Sequence, residues 1–112
     1  KMKIALDYDE TYTRDPEFWD QFIELSCDYG HDVTCVTMRS PQHKIEGLPI
    51  DVIYTNFKGK ISFCQNLGIS FDIWIDDNPV WLLNDVPTGD NPRPARNREN
   101  NFPVKYRRTR IK

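Results

Sequence analysis

Cysteine, histidine, glycine and long apolar runs are all scarce in this 112-residue chain. Its three cysteines form no C-x-x-C pair, and His31 and His43 stand at no zinc-ligand spacing from them, which argues against a zinc site. Cys27, Cys35 and Cys64 sit among apolar residues and read as buried, reduced thiols of a cytoplasmic protein. No hydrophobic run approaches the ~18 residues of a membrane helix, and no signal-peptide pattern opens the chain. Five glycines and no internal repeat exclude a collagen-like fibre, and no heptad pattern supports a long coiled coil. Hydrophobic residues, at 38%, fall below the ~45–50% of ordinary globular chains, so a single domain with a small core is expected. Three Trp, five Tyr and six Phe supply much of that core.

Charge is unevenly placed. Residues 1–90 carry 7 Lys/Arg against 16 Asp/Glu, a net −9, whereas residues 91–112 carry 8 against Glu99 alone, a net +7. The reading is therefore a domain over residues 1–88 and a basic tail or added edge strand over 89–112. Two accounts of the tail stand side by side. One is a polyanionic partner such as nucleic acid, and the other is a solvated terminus that folds back on its own acidic domain.

Residues 3–8, Lys-Ile-Ala-Leu-Asp-Tyr, are an apolar run ending in carboxylates, which suits a strand buried on both faces. Asp15-Pro16 reads as an N-cap with proline at the first helical position. Phe18, Phe22 and Leu25 with Trp19, Ile23 and Cys27 form one broad apolar helix face, and Gly30 ends it. Second and third strands are expected over 33–38 and 51–55, separated by a loop. Ile61, Cys64 and Leu67 have helical spacing up to Gly68, a fourth strand follows over 71–76, and Asn78-Pro79 opens a last helix over Val80-Trp81-Leu82-Leu83. The alternation predicts an α/β fold with a small parallel sheet of about four strands flanked by helices. Beyond Asp85 the composition turns to Asn, Pro, Arg and Lys, and alternating Phe102, Val104 and Tyr106 fit a late edge strand or a disordered arm.

Parallel sheets hold their ligands beyond the carboxyl ends of the strands. The first strand ends in Asp7-Tyr8-Asp9, the second reaches Thr37, and the fourth ends in Asp76-Asp77. Asp15 is simply a cap, and Asp77 or Asn78 taken alone would cap the Pro79 helix. Asp7, Asp9 and Asp76 gathered at neighbouring strand ends are different, because their mutual repulsion needs a cation, for which Mg²⁺ is the natural occupant.

Ile4-Ala5-Leu6-Asp7-Tyr8-Asp9-Glu10-Thr11 resembles the first motif of the haloacid-dehalogenase-like (HAD) phosphatases, a hydrophobic strand followed by D-x-D-x-T. Val36-Thr37 resembles their second motif, and Ile75-Asp76-Asp77-Asn78-Pro79 their fourth. Lys60 is the better match to the third-motif lysine, with Lys58 the other choice. The resemblance spans about residues 2–84, and the chain is similar to small, cap-less members carried by phages.

It implies a Rossmann-like α/β fold with strands in the order 3-2-1-4 and no cap domain, and a Mg²⁺-dependent phosphomonoester hydrolase. Asp7 would attack phosphorus, Asp9 would serve as acid and then base, Thr37 would bond a phosphoryl oxygen, and Lys60 would offset charge. Asp7, Asp9 through its backbone carbonyl, and Asp76 or Asp77 would hold the ion, and Thr11 and Arg39 would face substrate. A cap-less site implies a large substrate, with nucleotides or nucleic-acid ends favoured by the basic tail, or an oligomer in which a partner covers the site. The competing expectation is a low-turnover binding module that uses the tail to hold nucleic acid or a protein. A phosphorylated receiver module fits poorly, because receivers place the acidic pair after the first strand and the acceptor after the third.

Overall fold

The computed structural model describes residues 1–87. The basic tail and the late edge strand expected at 102–106 lie outside the described residues.

Four short strands form one parallel sheet: β1 (Lys3–Leu6), β2 (Asp32–Thr37), β3 (Val52–Tyr54) and β4 (Ile73–Ile75). Their order is β3-β2-β1-β4, the order that the resemblance implies. The helices are α1 (Pro16–Asp28), α2 (Lys60–Asn66) and α3 (Val80–Leu83), with one 3-10 turn at Tyr12–Arg14.

Alternation along the strands builds two thin cores. Ile4 and Leu6 of β1 face Val33 and, on α1, Ile23, with Trp19 and Phe22 packed against them. Ala5 faces the other way, onto Val36 and Cys64 of α2, with Phe71 and Trp74 at the border. Both faces of β1 are thus covered, which is why it reads as a continuous apolar run.

Local signals set the helix ends. The Asp15 carboxylate accepts from the Phe18 amide at 3.2 Å, with Pro16 opening α1 as expected. Gly30 and Gly68 take left-handed conformations, φ 84° and 78°, just beyond α1 and α2.

Three expectations need correction. The strands at the two edges are shorter than read, three residues each, because a strand's length is set by the ladder its neighbour offers: β4 pairs only with Ile4–Leu6, and β3 only with Cys35–Thr37. The apolar face of α1 is narrower than predicted: Ile23 and Ser26 are buried, whereas Phe18, Leu25 and Cys27 are exposed. Cys27 is therefore a surface thiol, since the small sheet covers only one stripe of the helix. Leu67, at the end of the α2 pattern, is exposed as well.

Candidate active site

Chain order runs from β1 outward through β2 to β3, then crosses back to β4 on the other side of β1. The switch between those directions opens a crevice at the carboxyl ends of β1 and β4. The Asp7 amide donates to the Ile75 carbonyl at 2.9 Å, carrying the β1–β4 pairing one residue past the strand. Asp7 and Asp76, each the first residue after its strand, are brought side by side.

Lys60 stands between them. Its ammonium donates to Asp7 Oδ1 and to Asp76 Oδ2, both at 2.6 Å. Lys60 is the first residue of α2, and its position follows from a tight turn at Thr55–Lys58. There the Lys58 amide donates to the Thr55 carbonyl, and Asn56 and Phe57 both have positive φ, 54° and 69°. A left-handed Phe57 costs about 1–2 kcal/mol. Two backbone bonds hold it there: its amide donates to the Met38 carbonyl, and its carbonyl accepts from the Val86 amide, each 2.8 Å. Lys58 points elsewhere, to an exposed and long contact with Asp85 at 3.9 Å. Of the two lysines weighed from the sequence, the structure brings Lys60 to the carboxylates.

Burial and charge pull these groups in opposite directions. Burial works to lower the Lys60 ammonium, but Asp7 and Asp76 outweigh it and hold its pKa above the ordinary value. Asp76 is lifted by burial, against the pull of Lys60, and Asp7 adds to the lift. Beneath the site, burial pushes the Cys35 thiol up to about 12, with Asp7 contributing, so it stays protonated. Burial likewise raises the thiol of Cys64.

Thr11 organises the same floor. Its hydroxyl donates to Asp7 Oδ2 at 2.9 Å, lies 3.3 Å from Asp77 Oδ1, and accepts from the Asp77 amide at 3.3 Å. A left-handed Glu10 (φ 69°) turns the chain so that Thr11 comes back onto Asp7. Thr11, expected to face substrate, is buried and bonded within the site.

Oxygens of Asp7, Asp76 and Asp77 lie within 4.8 Å of one another. Such crowded carboxylates repel, and Lys60 relieves part of that repulsion. The donor set is all hard oxygen, which suits Mg²⁺ rather than a softer metal. The side chain of Asp9 is not in this group.

Asp9 instead faces Arg39 at the rim. Arg39 Nε and Nη2 donate to the two Asp9 oxygens at 3.0 and 2.8 Å. The hydrogen bond to Asp9 raises the guanidinium above its ordinary pKa. Its guanidinium carbon is 5.1 Å from the Tyr8 ring centroid, and Tyr8 stacks on Tyr12. Thr37, buried at the end of β2, accepts from the Arg39 amide at 3.2 Å.

A cleft of about 80 Å³ joins these parts, lined by Asp7, Asp9, Thr37, Met38, Lys60, Asp76, Asp77 and Trp81. Met38 and Trp81 were missed in the sequence. Trp81 had a usable signal: α3 starts just after Asp76-Asp77, so its first turn must border the cleft. Arg39 stands outside the lining. Among the described residues, the stretch from Thr11 to Thr37 holds only the 3-10 turn, α1 and β2, and the stretch from Thr37 to Lys60 only β3 and its flanking loops.

No protein-family model, curated protein or solved structure matches this chain. The functional reading rests on the site.

Proposed function

We propose that this protein is a Mg²⁺-dependent phosphomonoester hydrolase of the HAD type, without a cap, that works through an aspartyl-phosphate. The observation that carries the reading is Lys60 held at 2.6 Å from both Asp7 and Asp76 at a parallel-sheet switch point. A buried carboxylate held by an ammonium and a hydroxyl is fixed in place, as an in-line nucleophile must be.

In this reading an Asp7 oxygen attacks phosphorus, and the bond from phosphorus to the ester oxygen breaks. Asp9 gives its proton to the departing alkoxide. Water then attacks the aspartyl-phosphate, Asp9 takes the water's proton, and the bond from Asp7 to phosphorus breaks to release inorganic phosphate. Thr37 and Lys60 provide donors to the phosphoryl oxygens as charge redistributes. Asp7, Asp76 and Asp77 would hold Mg²⁺, with the Asp9 carbonyl as a further ligand. When bound, the ion offsets phosphoryl charge and helps orient the ester. The net +7 of residues 91–112 favours polyanionic esters, namely nucleotides or nucleic-acid ends.

The test is hydrolysis of an aryl phosphate with Mg²⁺ by the wild type and by Asp7→Asn. Mg²⁺-dependent turnover in the first and at least a thousandfold loss in the second, the scale expected for a removed nucleophile, would support the reading. Equal turnover in both would end it. Oligonucleotides phosphorylated at the 3′ or 5′ end, tried with and without residues 91–112, then examine the substrate class.

One observation favours the second reading, a binding module of low turnover: Asp9, the acid/base in this scheme, is already held by both oxygens in the Arg39 fork. Absence of ester hydrolysis together with salt-sensitive nucleic-acid binding would select it.

A further inference from the structure

The same fork has another consequence, which rests on the phosphomonoesterase reading. We infer that Arg39 is an exchangeable latch: it clasps Asp9 while the cleft is empty and transfers its two donors to the phosphoryl group of an entering monoester, freeing Asp9 to face the leaving oxygen.

Arg39 Nε and Nη2 use the spacing of the Asp9 carboxylate, and a phosphoryl group presents two oxygens at similar spacing to the same fork. The exchange breaks two charge-assisted hydrogen bonds and makes two, with no covalent change. It is easy because the pair is wet: the side chains are 34% and 52% exposed. Exposed ion pairs hold weakly, so a dianion in the cleft can outcompete one carboxylate.

The guanidinium is also kept at the rim by contacts that do not involve Asp9. It lies over Tyr8 and donates through Nη1 to the His43 carbonyl at 3.4 Å. The Arg39 amide donates to Thr37 Oγ1 and its carbonyl accepts from the Asn56 amide at 3.2 Å, fixing the loop beside the cleft wall. Arg39 is thus anchored by its backbone and by an aromatic face, while its two Asp9-directed donors can change partner. Asp9 lines the cleft and Arg39 does not. A ligand that draws the guanidinium inward takes it from the one cleft carboxylate that it holds.

The experiment is a double-mutant cycle read in binding of inorganic phosphate, by calorimetry on the full chain at saturating Mg²⁺. Arg39→Gln is expected to weaken phosphate about tenfold, the scale of a lost charge-assisted pair. Asp9→Asn is expected to tighten phosphate about threefold to tenfold, because the fork loses its competing anion. The deciding arm is Asp9→Asn placed in Arg39→Gln, where the tightening should vanish. Tightening of equal size with and without Arg39 would mean plain repulsion from Asp9 and would overturn the latch. So would an unchanged phosphate affinity in Arg39→Gln. Arg39→Lys keeps the charge without the fork and should recover less than half of the lost affinity on a logarithmic scale. A wild type that binds no phosphate would defeat the hydrolase reading and the latch with it. Asp7-dependent turnover beside a flat cycle would defeat the latch alone.

Discussion

Aspartates meet a cation at two places in one cleft, on its floor and on its rim. On the floor, the side chains of Lys60, Asp7 and Asp76 are 3%, 9% and 4% exposed, and the ammonium bridges both acids at 2.6 Å. At the rim, Arg39 and Asp9 meet in a geometry just as well formed, but in water. Distance therefore does not separate them; burial does. A buried pair cannot come apart without stranding charge, so it acts as architecture. An exposed pair can exchange partners at little cost, so it can act as a moving part. The chemistry proposed for the cleft needs one of each: a fixed nucleophile and a movable acid.

The largest effect should come from breaking the floor. Lys60→Met leaves Asp7 and Asp76 facing each other in a buried place and should cost about 3–5 kcal/mol in denaturant unfolding. The pH dependence has a definite sign. Burial already holds Asp76 above the ordinary carboxylate range, and removing the ammonium lifts it further. A carboxyl raised in the folded state binds its proton more tightly there than when unfolded. The variant should therefore regain stability as pH falls from 7 towards 5, and lose it again on return. A variant as stable as the wild type at pH 7 would mean that the floor is no more structural than the rim.

Gly59→Ala should have a middling effect on the same region through packing alone. A Cβ on Gly59 would lie 3.0 Å from the Leu83 carbonyl carbon and 3.1 Å from its oxygen, both backbone. Backbone cannot rotate away, so α3 must shift, at a cost of about 1–3 kcal/mol. The shift falls one residue from Lys60, and thermal unfolding beside aryl phosphate turnover would register both parts. An unperturbed melting temperature would show that α3 gives way freely.

The sequence makes the floor readable and the rim mostly not. Asp7, Thr37 and Asp76 follow or end strands whose apolar runs are visible, whereas the placing of β1 beside β4 is not encoded in the alternation and comes from the sheet itself. Lys60 is reached through the resemblance alone, with Lys58 beside it, because no periodicity marks a surface-type side chain for burial. The bond between Asp9 and Arg39 joins residues thirty apart across two loops, and no local periodicity encodes such a contact. The bond from Thr11 to Asp7 is hidden in the sequence because the reversal at Glu10 has no glycine to announce it. Cys27 reads as a core residue because its helical spacing fits a wide apolar face, whereas a four-strand sheet covers only a narrow one. Pattern shows which residues would like to be buried. The area of the partner surface decides how many can be.

The smallest expected effect is the one that sharpens the comparison most. Arg39→Gln, Asp9→Asn and the double variant should each shift unfolding free energy by less than about 1 kcal/mol, as exposed pairs do. What little coupling there is should fade as ionic strength rises, because a solvent-facing pair is screened. Tyr8 also stacks on Tyr12, a contact that none of the three substitutions touches, so the rim is expected to keep its shape. Denaturant titrations of the four proteins at low and high salt give the coupling directly. A coupling above about 2 kcal/mol would place Asp9–Arg39 with the buried pairs, and a pair that strong would not yield to a phosphate. A near-zero value in stability, beside a tenfold effect of Arg39 on phosphate affinity, is the combination expected of a part whose stabilising contacts are made with ligand rather than with the fold.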